Sequence, residues 1–139
     1  MTHAEQSAIA APTLSWVVIY VSDVERSVEL YSAAFGLTVA FAHPGGDYAE
    51  FATGATALAL CDCTLAAQST GLPIEGSASP RSNITLVVDD VPAAFEHATA
   101  NGARPVTEPV TKPWGQTTCY VADLDDNLVE LATTVAGDA

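Results

Sequence analysis

Two stretches of the chain read as the same unit. WVVIYVSDVERSVELYSAAFG (16–36) and NITLVVDDVPAAFEHATANG (83–102) each run as an apolar strand, an aspartate, an amphipathic helix and a glycine stop. A repeated strand–helix unit constrains the fold more than composition does, because each copy must bury its apolar face against its neighbours. In the first copy Trp16 to Val21 is β-branched and aromatic, as a buried strand is. Ser22 with Glu25 fits a capping box, and Val24, Val28, Tyr31 and Phe35 recur at helical spacing before Gly36. In the second copy Asp90 is the expected N-cap, with Pro92 in the first turn, where a missing N–H costs little. Val91, Phe95 and Ala98 line the face expected to be buried, and Asn101 and Gly102 end the helix.

Further strands follow each helix. They are expected at Thr38 to Ala42, Tyr48 to Ala52 and Ala57 to Cys61, and again at Arg104 to Val106, Thr117 to Ala122 and Leu128 to Leu131. Gly45–Gly46, Thr53–Gly54 and Asp125 to Asn127 supply turns between them. Each half is therefore βαβββ, and the fold class is α+β. The expected organisation is a flexible N-terminal tail (1–13), a first module (14–63), a linker (64–82), a second module (83–133) and a C-terminal tail (134–139). The linker is rich in Ser, Gly and Pro, with a short helix near Leu65 to Gln68.

Seventeen acidic residues oppose four basic ones (Arg26, Arg81, Arg104, Lys112), for a net charge of −13. Such a field repels phosphate backbones, so nucleic acid is not an expected partner, whereas a cationic ligand would be drawn in. The bland reading of the same acidity is a solvated surface that keeps the protein soluble. No apolar run is long enough to span a membrane, and MTHAEQSAIAAP lacks the basic start and apolar stretch of a signal peptide, so a cytoplasmic location is expected. Cys61, Cys63 and Cys119 are an odd number, read as free thiols rather than a disulfide framework. His3, His43 and His97 are scattered, and neither a GxSxG elbow nor an HExxH helix is present.

The tandem βαβββ pattern, with VSDVERSVELYSAAFGL and PWGQ…DLDDNLVEL, resembles the vicinal oxygen chelate superfamily, the group of glyoxalases, bleomycin-resistance proteins and extradiol dioxygenases. The resemblance covers roughly 14 to 132 and implies a curled mixed sheet enclosing a cleft. In the metal-dependent members each half supplies one ligand at the start of its first strand and one within its last. Those positions fall here on Trp16, Ala59, Asn83 and Glu130. Only Glu130 is a good ligand; one carboxylate does not hold a catalytic metal, so neither a metal nor another cofactor is expected.

An acid in an apolar strand must find hydrogen-bond donors or raise its pKa. Glu130 is read either as structural, paired with Asn83 or with a serine or threonine across the barrel, or as facing a ligand. Trp16, Tyr48 and Phe51 are candidate aromatic walls, joined by Trp114 and Gln116 of KPWGQ, a loop resembling the PWG segment through which bleomycin-resistance proteins contact the drug. The ordinary alternative for an aromatic on a strand is the core. The leading expectation is a metal-free homodimer that sequesters an aromatic or cationic natural product or antibiotic. The competing one is an enzyme of the same superfamily, a lyase, isomerase or dioxygenase, with Glu130 as its base if metal-free.

Overall fold

The structure is a computed structural model that describes residues 10–11, 14–75 and 82–135. Most of the segment read as an N-terminal tail, and positions 136–139 of the C-terminal one, lie outside the described residues. Eight strands and three helices are present among them. In the first half these are β1 (Trp16–Val21), α1 (Val24–Phe35), β2 (Val39–Ala42), β3 (Tyr48–Phe51) and β4 (Ala57–Asp62), followed by α2 (Cys63–Thr70). The second half contains β5 (Asn83–Val87), α3 (Val91–Ala100), β6 (Arg104–Thr111), β7 (Thr117–Ala122) and β8 (Leu128–Ala132).

Both halves are βαβββ and both sheets are mixed. The strand orders are β1-β4-β3-β2 and β5-β8-β7-β6, in two separate four-stranded sheets rather than a closed barrel. The first and last strands of each module run parallel, and the remaining pairs are antiparallel. Trp16 pairs with Ala57 and Val18 with Ala59, while Asn83 pairs with Leu128 and Thr85 with Glu130. Trp16 and Asn83 are thus equivalent positions, as are Ala59 and Glu130.

The helix starts follow from local hydrogen bonding. Asp23, rather than Ser22, caps α1: its carboxylate accepts from the Arg26 N–H at 3.1 Å. Gly36 (φ 71°) closes the helix in the left-handed region. Asp90 caps α3 through the Ala93 N–H at 3.0 Å, with Pro92 in the first turn. The segment read as a linker opens with α2, capped by Asp62, and is more helical than its composition suggests. Strand β6 extends to Thr111, past Pro105 and Pro109, because it is an edge strand with irregular register and need not donate at every residue.

One core serves both halves. Val21, Leu30, Tyr31, Phe51 and Leu60 pack in the same buried cluster as Val91, Cys119, Val121, Val129 and Leu131. Burying a side chain of Leu or Phe size contributes about 2–3 kcal/mol. Helices α1 and α3 touch, and His97 Nε2 donates to Ala33 O at 3.0 Å, so His97 bridges the helices rather than merely facing solvent. The β7–β8 turn completes the joint. Asp123 Oδ2 accepts from Tyr31 Oη at 2.8 Å, and Asp125 Oδ1 accepts from Ser22 N at 3.1 Å. Burial and the Asp123 charge push the Tyr31 phenol far above its ordinary pKa, keeping it a donor.

Candidate ligand-binding site

The core claims alternate residues of β1, β3, β4, β5, β7 and β8, so the others form an open face. On β3 Ala49 and Phe51 enter the core, while Tyr48 and Glu50 point the other way. Phe51 therefore does not share a face with Tyr48. It is 1 % exposed, with its ring stacked on Tyr31 at 5.7 Å. The structure sets Phe51 in the core and removes it from the candidate aromatic walls.

Trp16 and Tyr48 do come together, around a residue the sequence reading passed over. Glu50 Oε2 accepts from Trp16 Nε1 at 2.9 Å and from Tyr48 Oη at 2.6 Å. For the indole to reach β3 it must span β4, which offers only small side chains on this face, Ala57, Ala59 and Cys61. Burial, then the hydrogen bond and charge of Glu50, raise the Tyr48 phenol to about 12, so it remains a donor at neutral pH. Phe41, the β2 partner of Glu50, places its ring 6.4 Å from that of Tyr48.

On the second sheet Glu130 is held by neighbours on its own face. Thr85 Oγ1 donates to Glu130 Oε1 at 2.7 Å, and Asn83 Nδ2 donates to Thr85 Oγ1 at 3.1 Å. Asn83 reaches the carboxylate through Thr85 and not directly. Tyr120, paired with Glu130 across β7 and β8, has its phenol raised by burial, by the Glu130 charge and by a hydrogen bond to it. An apolar strand can carry this carboxylate because hydroxyl donors from two adjacent strands meet it.

Trp114 stands 57 % exposed in the β6–β7 turn. Its Nε1 donates to Gln116 Oε1 at 3.0 Å, and Gln116 Nε2 donates to Thr133 O at 2.9 Å, so Gln116 fixes the indole to the end of the second sheet. A cavity of about 610 Å³ lies between the free edges of β1 and β5. Val18, Tyr20 and Cys63 line it with Asn83, Asp125 and Leu128. Of the candidate residues only Asn83 reaches it; Trp16, Tyr48, Trp114, Gln116 and Glu130 lie outside its lining.

The sequence profile of the Glyoxalase/Bleomycin resistance protein/Dioxygenase superfamily matches residues 13–131. The chain belongs to this superfamily. An uncharacterized protein of Bacillus subtilis (strain 168), YraH, is 26 % identical over 117 residues, spanning 81 % of this chain and 91 % of its own. A crystal structure of a glyoxalase/bleomycin resistance protein/dioxygenase from Nocardioides superimposes with a TM-score of 0.78 at 23 % identity, covering 98 % of this chain and 92 % of that one. A lactoylglutathione lyase from Agrobacterium tumefaciens gives a TM-score of 0.65 at 21 % identity over 88 % of this chain and 94 % of its own. These likenesses establish the fold of the superfamily.

A divalent ion of the kind superfamily enzymes use does not fit the residues present here. Trp16 and Ala59 offer no ligand, Asn83 turns its amide nitrogen to Thr85 Oγ1, and Glu130 remains one carboxylate. Among the described residues no three His, Cys, Asp or Glu side chains converge as a metal site. Burial and neighbouring carboxylates raise the pKa of Cys61 and of Cys63, and neither is a ready thiolate ligand. Among the described residues no helix is long and apolar enough to cross a membrane.

Proposed function

We propose that this chain is a metal-free binding protein that sequesters a small aromatic or cationic molecule, a natural product or antibiotic, by stoichiometric capture in the cytoplasm. The observation that carries this reading is the register of the two halves. It superposes Trp16 on Asn83 and Ala59 on Glu130, and leaves a metal site without its donors. In their place the open faces carry half-exposed aromatic rings and two carboxylates. Flat rings take up planar ligands by stacking and area burial, and an acidic surface concentrates cations around them. Trp16, Tyr48, Asn83, Trp114, Gln116 and Glu130 are the proposed contacts. A homodimer is part of the reading, because Val18, Tyr20, Phe41, Val87 and Val110 are all at least 40 % exposed, and a second copy would cover such faces.

The test is native mass spectrometry of the purified protein followed by titration with bleomycin and other planar cationic antibiotics. A metal-free dimer that binds one such compound per groove without altering it supports capture. One divalent ion held tightly per subunit, or chemical turnover of the bound compound, sinks it. A second reading makes the chain an enzyme with Glu130 as general base. It is favoured by the way Thr85 and Tyr120 hold that carboxylate on an open face, with no cationic partner among the described residues. Under it Glu130→Gln abolishes turnover while ligand affinity stays within a few fold.

A further inference from the structure

The open face of the first sheet is a trough with its own chemistry. On this face its central strand β4 carries only small side chains, Ala57, Ala59 and Cys61, and the Trp16 indole leans over them to Glu50, so that Ala59 is 0 % exposed. One wall is β1, with Trp16 56 % and Tyr20 40 % exposed. The other is β3 and β2, with Tyr48, Glu50 and the 48 % exposed Phe41. Register fixes the rows: Tyr20, Cys61 and Tyr48 lie across the sheet from one another, and Val18, Ala59, Glu50 and Phe41 form the next row.

One carboxylate therefore stands among aromatic rings. Both hydrogen bonds given to it among the described residues, from Trp16 and Tyr48, fall on Oε2, so Oε1 remains able to accept. Among the described residues the ion pairs are His43–Asp47 and Arg104–Asp126, and neither supplies a counter-charge to Glu50. Aromatic faces attract cations through their quadrupoles, most strongly where water is displaced. A primary ammonium needs three acceptors. An alkylated one needs none or one, and packs its methyl groups on the rings. The neighbouring indole N–H and phenol O–H are spent as donors, which leaves one free oxygen and several faces.

We propose that this trough binds an N-alkylated ammonium group, with Glu50 as its counter-charge and Trp16, Tyr48 and Phe41 as its aromatic walls. The assignment rests on the small-molecule-binding reading above and gives it a ligand class: an organic cation whose charge is buried in methyl or methylene groups. The second sheet lacks this chemistry. Thr107, Thr118 and Tyr120 occupy the positions of Phe41, Tyr48 and Glu50 there.

The experiment is an amide and indole ¹H–¹⁵N titration of the full chain with choline, and with 3,3-dimethylbutan-1-ol, its neutral isostere. Choline is expected to shift the Trp16 indole N–H saturably, with affinity about tenfold or more above the isostere. Glu50→Gln should weaken choline by a similar factor without changing the isostere. Phe41→Leu, which breaks no hydrogen bond, serves as the second variant should Glu50→Gln unfold, and is expected to weaken choline several fold. Equal binding of the two compounds, or an absent Trp16 response, overturns the proposal. Bleomycin titrated in parallel separates the two readings. If it binds while choline fails, the trough assignment falls and capture stands; if choline binds through Glu50 and planar antibiotics fail, the trough stands and antibiotic capture falls.

Discussion

On the first sheet β1 presents Trp16, Val18 and Tyr20 to the open face, where β5 of the second sheet presents Asn83, Thr85 and Val87 at the same register. The central strands differ in the opposite sense: Ala57, Ala59 and Cys61 in one, Leu128, Glu130 and Ala132 in the other. The carboxylate has also moved. In the first half it is Glu50 on β3 opposite Ala59; in the second it is Glu130 on β8 opposite Tyr120. Backbone and core tolerate this exchange because residues of the open face make no demand on the buried cluster, which draws on alternate positions. A duplicated fold can thus keep one architecture and place two unlike chemistries on it.

The turns before the last strands divide in the same way, and here the largest effect is expected. Asp123 is buried at 4 % exposure and accepts from Tyr31 Oη, from Asn127 Nδ2, and from the Asp125 and Asn127 N–H groups. Its counterpart Thr53 makes only local bonds, donating to Thr56 O and accepting from Leu58 N. Asp123→Ala should lower the free energy of unfolding by about 3 kcal/mol, since several buried donors lose their acceptor. Thr53→Ala should cost about 1 kcal/mol. Urea unfolding of both variants checks this, and equal losses would mean that the second turn does not join the halves.

Much of this architecture was legible in the sequence. Both βαβββ units, the N-cap at Asp90 and the glycine stop at Gly36 follow from periodicity and capping chemistry that act within a few residues. The site was legible only in part. Glu130 stood out because its strand is apolar, but its bond goes to Thr85 on the adjacent strand of its own sheet, neither directly to Asn83 nor to a partner across a barrel. Glu50 was missed, although the signal was available. In YAEF strict alternation sets Tyr48 with Glu50 and apart from Phe51, so grouping Tyr48 with Phe51 contradicted the period of a strand. That Asp123 would reach Tyr31, 92 residues away, depends on how the halves dock and has no local signature. Ser22 was the expected cap of α1 and Asp23, one residue on, is the one that forms, a difference settled by the backbone of the first turn.

The aromatic residues sharpen the contrast between the two sheets. Trp114→Ala should weaken ligand binding by about 2 kcal/mol in a calorimetric titration, with thermal unfolding nearly unchanged, because the indole is exposed and, among the described residues, hydrogen-bonds only to Gln116. Unaltered affinity would move the site to the first sheet. Tyr48 offers a probe that needs no ligand. With its phenol at about 12 against an ordinary 10.0, the folded chain keeps the proton that the unfolded chain gives up. Its contribution to stability is therefore whole below pH 10 and is lost as the pH climbs to about 12. In an alkaline absorbance titration Glu50→Gln should bring this phenol down, leaving the part due to burial. A Tyr48 titration indifferent to Glu50 would dissolve the pair.

The smallest expected difference lies at the left-handed residue of each turn. The first half uses Gly54 (φ 98°), whose missing Cβ would meet nothing within 4 Å; the second uses Asp126 (φ 63°), tied to Arg104 at 2.7 Å. Gly54→Ala should cost about 1 kcal/mol from backbone strain alone, since no neighbour would be displaced. Asp126→Gly relieves strain of the same kind and gives up an exposed ion pair, so the two effects offset to within about 0.5 kcal/mol. The remainder should depend on salt, because screening removes only the ion pair: in about 1 M salt Asp126→Gly should be the more stable chain. If Asp126→Gly instead costs more than Gly54→Ala, then the Arg104 contact fixes the turn that carries Asp123, and the second half owes its tighter joint to a surface pair as well as to the buried hydrogen bonds.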